Sequence, residues 1–507
     1  MSLIICRVLC RTVTAERSTA ADWILTETGG PCGVPLDFHA WVAEWKDIAG
    51  REQALGIPVG RPLLISPSNV DHRVNEYFRS AFRLDQNSTA LTYAIELRTW
   101  FRFLKESDTY WDEADARDVR QFQIARVYPE QSEGRIQPAT WNKAWAALNH
   151  FYRWAVRVGY LDVSPVSEDQ RLRGPARAGG FREKNARASR DRWLAPSEYS
   201  MWRNIGLRGY GAALDSQKGV VASQQDETTR VRNIGRNTAF VDYALLTGLR
   251  LSEVGSLLSV ELPSQVDVDV PIIGKGNVKR HYRVMHHLAL QSLHTYQIRE
   301  RRSCILRAQR SGAYDDIPGR LDVAELLSGR SGSRVRLIDG QTLDVLTMPA
   351  DQRRRLFIQD TSGWQPAWLW LTETGTPMPH QSWEAVFLGA NKRVSSARKA
   401  LGVRNPWVHV TPHSLRFTFA LLVLLASIRA IDDRLGMRPT DPFDLRAYMS
   451  AFDEVRDLLG HASVQTTREI YLEPVKGLRR APLLRTRNFD EMWNELMGKS
   501  PLVGFTR

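Results

Sequence analysis

The chain has 507 residues, 43% of them hydrophobic, which is ample for folded cores and excludes wholesale disorder. Its 69 Lys and Arg against 56 Asp and Glu leave a net charge of +13. That balance points to a polyanionic partner, nucleic acid first, with solubility as the plainer explanation. Cys6, Cys10, Cys32 and Cys304 form no zinc-type pairing, which reads as a reduced, cytosolic protein.

The N-terminus MSLIICRVLCRTV is interrupted by Arg7 and Arg11, so the apolar stretch is too short and too charged for a signal peptide. Residues 1–85 carry few clear signals and stand as a region of unclear role. From Ser88, read as an N-cap, STALTYAIELRTWFRFLKES puts Tyr93, Leu97, Trp100 and Leu104 on one helical face. A shorter helix is expected near 115–127. TWNKAWAALNHFYRWAVRVGY repeats the stripe with Trp141, Trp145, Leu148 and Tyr152. Both aromatic stripes read as core rather than as platforms for stacked bases, and they define a small helical domain over residues 86–168.

A linker over 169–194 follows. Its centre, RLRGPARAGGFREKNARASRDR (171–192), holds eight basic and two acidic residues with three glycines and a proline. It is either a solvated linker or a strap along phosphates, where each neutralised phosphate releases counterions.

Residues 195–485 read as a second domain. FVDYALLTGLRLSEVGSLL (240–258) predicts a helix, a Gly turn and a second helix. VDVDVPIIGKGNVKRHYRVMHH (266–287) alternates on both sides of GKGN, the sign of a β-hairpin. RVRLIDGQTLDVLTM (334–348) predicts another, turning at Asp339-Gly340. AWLWLTETGTPM adds a strand and turn. From Ser382 onward the pattern is helical. The longest apolar run, FTFALLVLLASI (417–428), has the length of a buried helix and is too short to span a bilayer, so no membrane partner is expected. The expected fold class is mainly α with a small antiparallel β-sheet. Residues 300–360 and 429–444 look inserted, and 486–507 form a tail.

Within this domain, Arg250 lies in TGLRLSEV, Lys275 in GKGNVKR, His413 and Arg416 in HSLR, and His461 and Tyr471 in LLGHASVQTTREIY. Each alone has a plainer reading: a capping arginine, a solvated turn lysine, a His/Arg pair sharing a helical face, a core tyrosine. Together they are what metal-free phosphodiester transesterification requires. A tyrosine with an ordinary pKa of about 10 is a poor nucleophile at neutral pH, and a cationic pocket favours its phenolate. Guanidinium forks match the charge gathering on the nonbridging oxygens. The leaving 5′ oxygen needs a proton, which a lysine at a hairpin tip can deliver, and histidines can accept, donate or hold the phosphate. Gly460 is expected to close one helix and Ser463 to cap the next, with Tyr471 about two turns further on.

These boxes, in this order, resemble the catalytic domain of the tyrosine recombinase (phage integrase) family over about 235–480, and the helical segment resembles that family's core-binding domain. The resemblance implies Tyr471 as the nucleophile forming a 3′-phosphotyrosyl link, and Arg250 and Arg416 as the clamp on the scissile phosphate. Lys275 would be the general acid, with Lys279 as the alternative; His413 would assist proton transfer and His461 would hydrogen-bond the phosphate. It implies no metal and no cofactor, double-stranded DNA as partner, a homotetramer on two sites, accessory recombination proteins as further partners, and a cytoplasmic, nucleoid-associated location. Mobile-element integration or excision is the implied setting. A type IB topoisomerase-like or telomere-resolvase strand transferase, and a DNA-binding protein without catalysis, stand as alternatives. The interval from His461 to Tyr471 is one residue longer than the commonest spacing in the family.

Overall fold

The computed structural model describes residues 23–28, 59–65, 71–83, 87–128, 135–166, 193–216, 219–225, 231–274, 278–329, 332–438, 441–461 and 463–479. The chain divides into two compact units, Met1–Arg190 and Asp191–Arg507. The basic stretch 171–192 and the tail 486–507 lie outside the described residues.

In the first unit β1 (Ile24–Glu27) pairs antiparallel with β2 (Pro62–Ile65). Among the described residues four helices follow: α1 (His72–Ser80), α2 (Asn87–Glu106), α3 (Ala116–Val127) and α4 (Pro138–Arg157). Local chemistry sets their starts. The Asp115 carboxylate accepts from the Arg117 and Asp118 amides, while Asp118 accepts from the Asp115 amide, a reciprocal cap on α3. Pro138 opens α4, where its missing N–H costs nothing. The two aromatic stripes meet as core: Leu97, Trp100, Trp141, Leu148 and Tyr152 are all buried. Trp100 Nε1 donates to the Tyr152 hydroxyl at 2.9 Å, and that hydroxyl donates to the Trp111 carbonyl at 2.9 Å, so both polar tips are satisfied away from water. Trp145 packs at the edge, partly buried.

Two expectations change here. The domain does not begin at 86, because Trp23, Leu25, Leu64, Val74, Tyr77 and Phe78 enter the same core. Two four-residue strands set far apart in the chain give too little periodicity to find in sequence. Ser88 is not the N-cap; it lies inside α2, and its carbonyl accepts from the Thr92 hydroxyl.

In the second unit α5 (Pro196–Met201) runs into a π-helical turn at Trp202–Leu207, and the hairpin β3 (Tyr210–Asp215)–β4 (Gly219–Gln225) follows. Then come α6 (Ile234–Thr247), the short α7 (Leu251–Gly255) and the expected hairpin β5 (Val270–Gly274)–β6 (Val278–Tyr282). Helix α8 (His287–Tyr296) passes through a π turn into α9 (Arg302–Arg310). A five-stranded sheet ordered β11-β10-β7-β8-β9 follows, from β7 (Leu321–Gly329), β8 (Gly332–Leu337), β9 (Thr342–Asp344), β10 (Leu356–Asp360) and β11 (Gly363–Pro366). The β8–β9 pairing is the hairpin expected at 334–348. One pairing, β10 with β7, is parallel rather than antiparallel. Residues 367–371 are not a strand. Among the described residues they make isolated bridges, and Arg301 takes the carbonyls of Pro366, Trp368 and Leu369 in place of a neighbouring strand.

The last described elements are α10 (Ser382–Ala400), α11 (Pro412–Leu435), α12 (Met449–Leu459) and α13 (Val464–Arg479). Helix α11 starts where Thr411 accepts from the Ser414 amide, with Pro412 in the first turn. It runs 24 residues, longer than the apolar run alone suggested, and takes in 429–435 from the stretch that looked inserted. By length and composition it could cross a membrane, but 78% of its apolar window is buried within the protein, which makes it the central core helix.

Candidate active site

Four chain segments converge around Arg416. Helix α6 ends at Gly248, whose φ of 63° suits glycine and whose close packing leaves no room for a side chain: a Cβ would lie 2.2 Å from Phe419 on α11. The turn that follows brings Arg250 to the start of α7. There the Arg250 amide donates to Glu253 Oε2 at 2.8 Å and its Nη1 to Glu253 Oε1 at 2.9 Å. Helix α12 ends at Gly460, φ 63°, and the chain turns sharply to present His461. The Ser463 hydroxyl accepts from the Thr466 amide at 3.3 Å and caps α13, as expected.

The arginines attach to the carbonyls at these helix ends, which have no partner inside the helix and carry its partial negative charge. Arg416 donates to Gly248 O and Leu459 O. Arg280 of β6 donates to Leu458 O at 2.6 Å. Arg250 Nη2 lies 3.4 Å from Gly460 O. The only carboxylate bonded to these guanidinium groups among the described residues is Glu253, which Arg280 also reaches, at 2.6 Å. Burial, the largest influence on Glu253, would raise its pKa, but Arg280, Arg250 and Arg416 outweigh it and hold the carboxyl ionised, below its usual value. For Arg416, burial and then Arg250 and Arg280 push the pKa down to about 9 against the opposing pull of Glu253 and Tyr471, so it stays charged at neutral pH.

His461 shares a hydrogen bond between its Nδ1 and the Thr467 hydroxyl at 2.9 Å, which fixes the ring. Burial first, then Arg416, Arg250, His413 and Arg280, drive its pKa down to about 4. The imidazole is therefore neutral at pH 7. His413, exposed in the first turn of α11, is among the charges His461 feels. Tyr471 is 3% exposed, with its ring 4.8 Å from that of Phe417, one residue along α11 from Arg416. The additional residue between His461 and Tyr471 does not rotate the tyrosine away. Thr467, Tyr471 and Val475 stand at i, i+4 and i+8 and are all buried on one face of α13.

The structure thus brings together Arg250, Arg416, His413, His461 and Tyr471. Lys275 lies outside the described residues. Its neighbour Gly274 does reach the cluster: a Cβ there would lie 3.3 Å from Glu253 Oε1 and 3.6 Å from Arg250 Nη1. Lys279 is not brought in. Side chains alternate along β6, so Arg280 and Tyr282 face inward while Lys279 is exposed on the other face. Sequence reasoning missed Glu253, Arg280 and the pairing of Thr467 with His461. A Glu three residues after Arg250 at a helix start was a capping signal, and the strand alternation separating Arg280 from Lys279 was legible.

Such a pocket can bind a phosphodiester, disperse charge on its nonbridging oxygens and lower the pKa of a phenol brought to it. No curated protein matches the chain. Among solved structures, the Tn1549 transposon integrase (aa 82–397) in complex with circular intermediate DNA is 13% identical, covering 79% of this chain and 93% of that one, with a TM-score of 0.40. The XerH site-specific recombinase bound to palindromic difH substrate is 14% identical, covering 77% of each chain, with a TM-score of 0.40. A lambda integrase (75–356) dimer bound to a COC′ core site is 14% identical, covering 79% of this chain and 90% of that one, with a TM-score of 0.37. The model of the phage integrase N-terminal SAM-like domain matches residues 74–159, the span of α1 to α4.

Proposed function

We propose that the protein is a site-specific DNA recombinase that cuts and rejoins double-stranded DNA through a 3′-phosphotyrosyl intermediate. The observation that carries this reading is the set of charges acting on Arg416: Arg250 and Arg280 as cations, Glu253 as their counter-ion, and Tyr471. A core tyrosine has no need of such company, and an ordinary ion-pair network would hold more than one carboxylate. The phage integrase SAM-like domain supports the same reading from the other unit.

In this reading Arg250 and Arg416 bind the nonbridging oxygens of the scissile phosphate. Neutral His461 donates or accepts through Nε2, and His413 assists proton transfer. The Tyr471 oxygen attacks phosphorus, the 5′ oxygen leaves with a proton from Lys275, and the phosphotyrosyl bond keeps the energy of the broken phosphodiester for rejoining. Tyr471 is enclosed here, so α13 must shift for attack. Pro474, without an N–H for the Ile470 carbonyl, weakens that helix one turn past the tyrosine. The domain plan of a core-binding unit that starts before residue 86 and takes in β1, β2 and α1, a linker over 169–194 and a catalytic unit over 195–485 belongs to the proposal. So do a homotetramer on two duplexes, accessory recombination proteins, a mobile-element setting and a cytoplasmic, nucleoid-associated location.

Replacing Tyr471 by Phe removes one oxygen. It should abolish the covalent protein–DNA adduct on a nicked suicide substrate while leaving DNA affinity unchanged. An adduct that persists in Tyr471→Phe means that another residue is the nucleophile.

A further inference from the structure

Arg280 stands outside the six residues picked out by the motifs. Its side chain is only 6% exposed. Nη2 donates to Glu253 Oε2 and Nη1 to the Leu458 carbonyl, each at 2.6 Å. Its stem fills the space that a side chain at Gly460 would need: a Cβ there would lie 2.5 Å from Arg280 Cδ. A Cβ on Gly274 would lie 3.4 Å from Arg280 Nε. That Nε, between the two glycines, has no hydrogen-bond partner among the described residues. A buried orphan N–H costs free energy, and its persistence asks for a reason beyond packing.

Charge and connection supply the reason. Glu253 is shared: Oε1 meets Arg250 Nη1, while Oε2 meets Arg280 Nη2 and the Arg250 amide. Without Arg280 the whole carboxylate would act on Arg250, and the cluster of three arginines and one glutamate would fall from a net charge of two to one. The same side chain joins the hairpin that leads to Lys275 to the last turn of α12, which sets the position of Gly460 and His461.

We infer that Arg280 is a positioning residue for the phosphate pocket: by holding Glu253 and the end of α12 together, it leaves Arg250 available to the phosphate and fixes His461 beside it. This rests on the proposed function, and Arg280 acts through Arg250 and His461 rather than on the reacting atoms.

The test compares full-length wild type with Arg280→Met, Arg280→Lys and the double variant Arg280→Met/Glu253→Gln, reading DNA affinity, single-turnover adduct formation and its pH profile. Arg280→Met should slow adduct formation about 100-fold with affinity nearly unchanged, the mark of an interaction that matters at the transition state. Its acid limb should move to higher pH, because His461, still facing Arg250, Arg416 and His413, loses one cation. The double variant should recover about tenfold of the lost rate, since the unneutralised carboxylate is gone. A merely structural role predicts the reverse: a double variant no faster than the single, an unmoved pH profile and a rate loss that tracks the unfolded fraction. Should Arg280→Met not fold, Arg280→Lys decides alone. Keeping the charge without the fork, it should slow adduct formation about tenfold with the pH profile in place. A wild-type rate in Arg280→Met, or in Arg280→Lys where that variant decides, overturns the inference. A wild-type protein that forms no adduct overturns the functional reading instead.

Discussion

Arg73 and Arg416 both sit on helices, yet their surroundings differ in kind. Arg73 of α1 pairs with Asp71 at 3.0 Å and Asp112 at 2.7 Å and lies over the Trp111 ring. Its hydrogen bond to Asp71 raises its pKa above the usual arginine value. Arg126 and Glu96, at 3.0 Å, repeat the pattern in the same unit. Arg416 in the second unit is buried and tied to two backbone carbonyls, and burial lowers its pKa. Carbonyl oxygens fix a guanidinium in place without cancelling its charge. Arg73 and Arg126 therefore serve the fold, while the pocket around Arg416 keeps its positive charge uncancelled, as the proposed phosphate site requires. That preorganisation is what charge stabilisation in a transition state needs.

The contrast can be broken at either end. The largest effect should come from the aromatic core of the first unit. Trp141 is fully buried, and Trp141→Ala should cost about 3–5 kcal/mol of stability in denaturant unfolding. The rate of adduct formation per folded molecule should not change; a change would mean that the core reaches into the chemistry. Next comes Arg416→Lys, which keeps a charge but cannot bridge two carbonyls and a phosphate with one ammonium. Adduct formation should fall by about 10²–10³-fold. A variant near wild type would show that charge alone suffices and that the carbonyl ties are incidental.

The smallest effect separates two histidines. Burial lowers the pKa of both His150, which bonds the Tyr77 hydroxyl at 2.7 Å, and His461. For His461 the folded pKa is about 4 against an ordinary 6.5. Between those values the unfolded chain binds more protons, so the stability His461 contributes is full above about pH 6.5 and is lost as pH falls toward 4. His461→Gln should flatten that part of the stability profile. An anion in the pocket should raise the His461 midpoint and leave that of His150 in place, which NMR titration with and without DNA would read directly. Equal shifts at both rings would remove the distinction between the units.

Much of this was legible in sequence because it depends on near neighbours. The stripes Leu97/Trp100/Leu104 and Trp141/Leu148/Tyr152 follow the helical period, and the hairpin around GKGN follows the strand period. Gly248 and Gly460 both stand at helix ends with positive φ, where local sterics favour glycine. The boxes containing Arg250, His413, Arg416, His461 and Tyr471 named residues that the fold does assemble. The rest was decided by contacts distant in sequence. Strands β1 and β2 joined the helical core through pairing that local periodicity does not report. Residues 367–371 make only isolated bridges, and Arg301, more than sixty residues earlier in the chain, takes carbonyls of that stretch. Arg280 meets Leu458 across a separation of 178 residues, and Arg416 meets Gly248 across 168. Sequence specified which helices and turns form and which cations they carry. Only the tertiary structure chose the carbonyls that hold those cations, because a helix end offers its last oxygens to whatever donor the packing of other segments brings there.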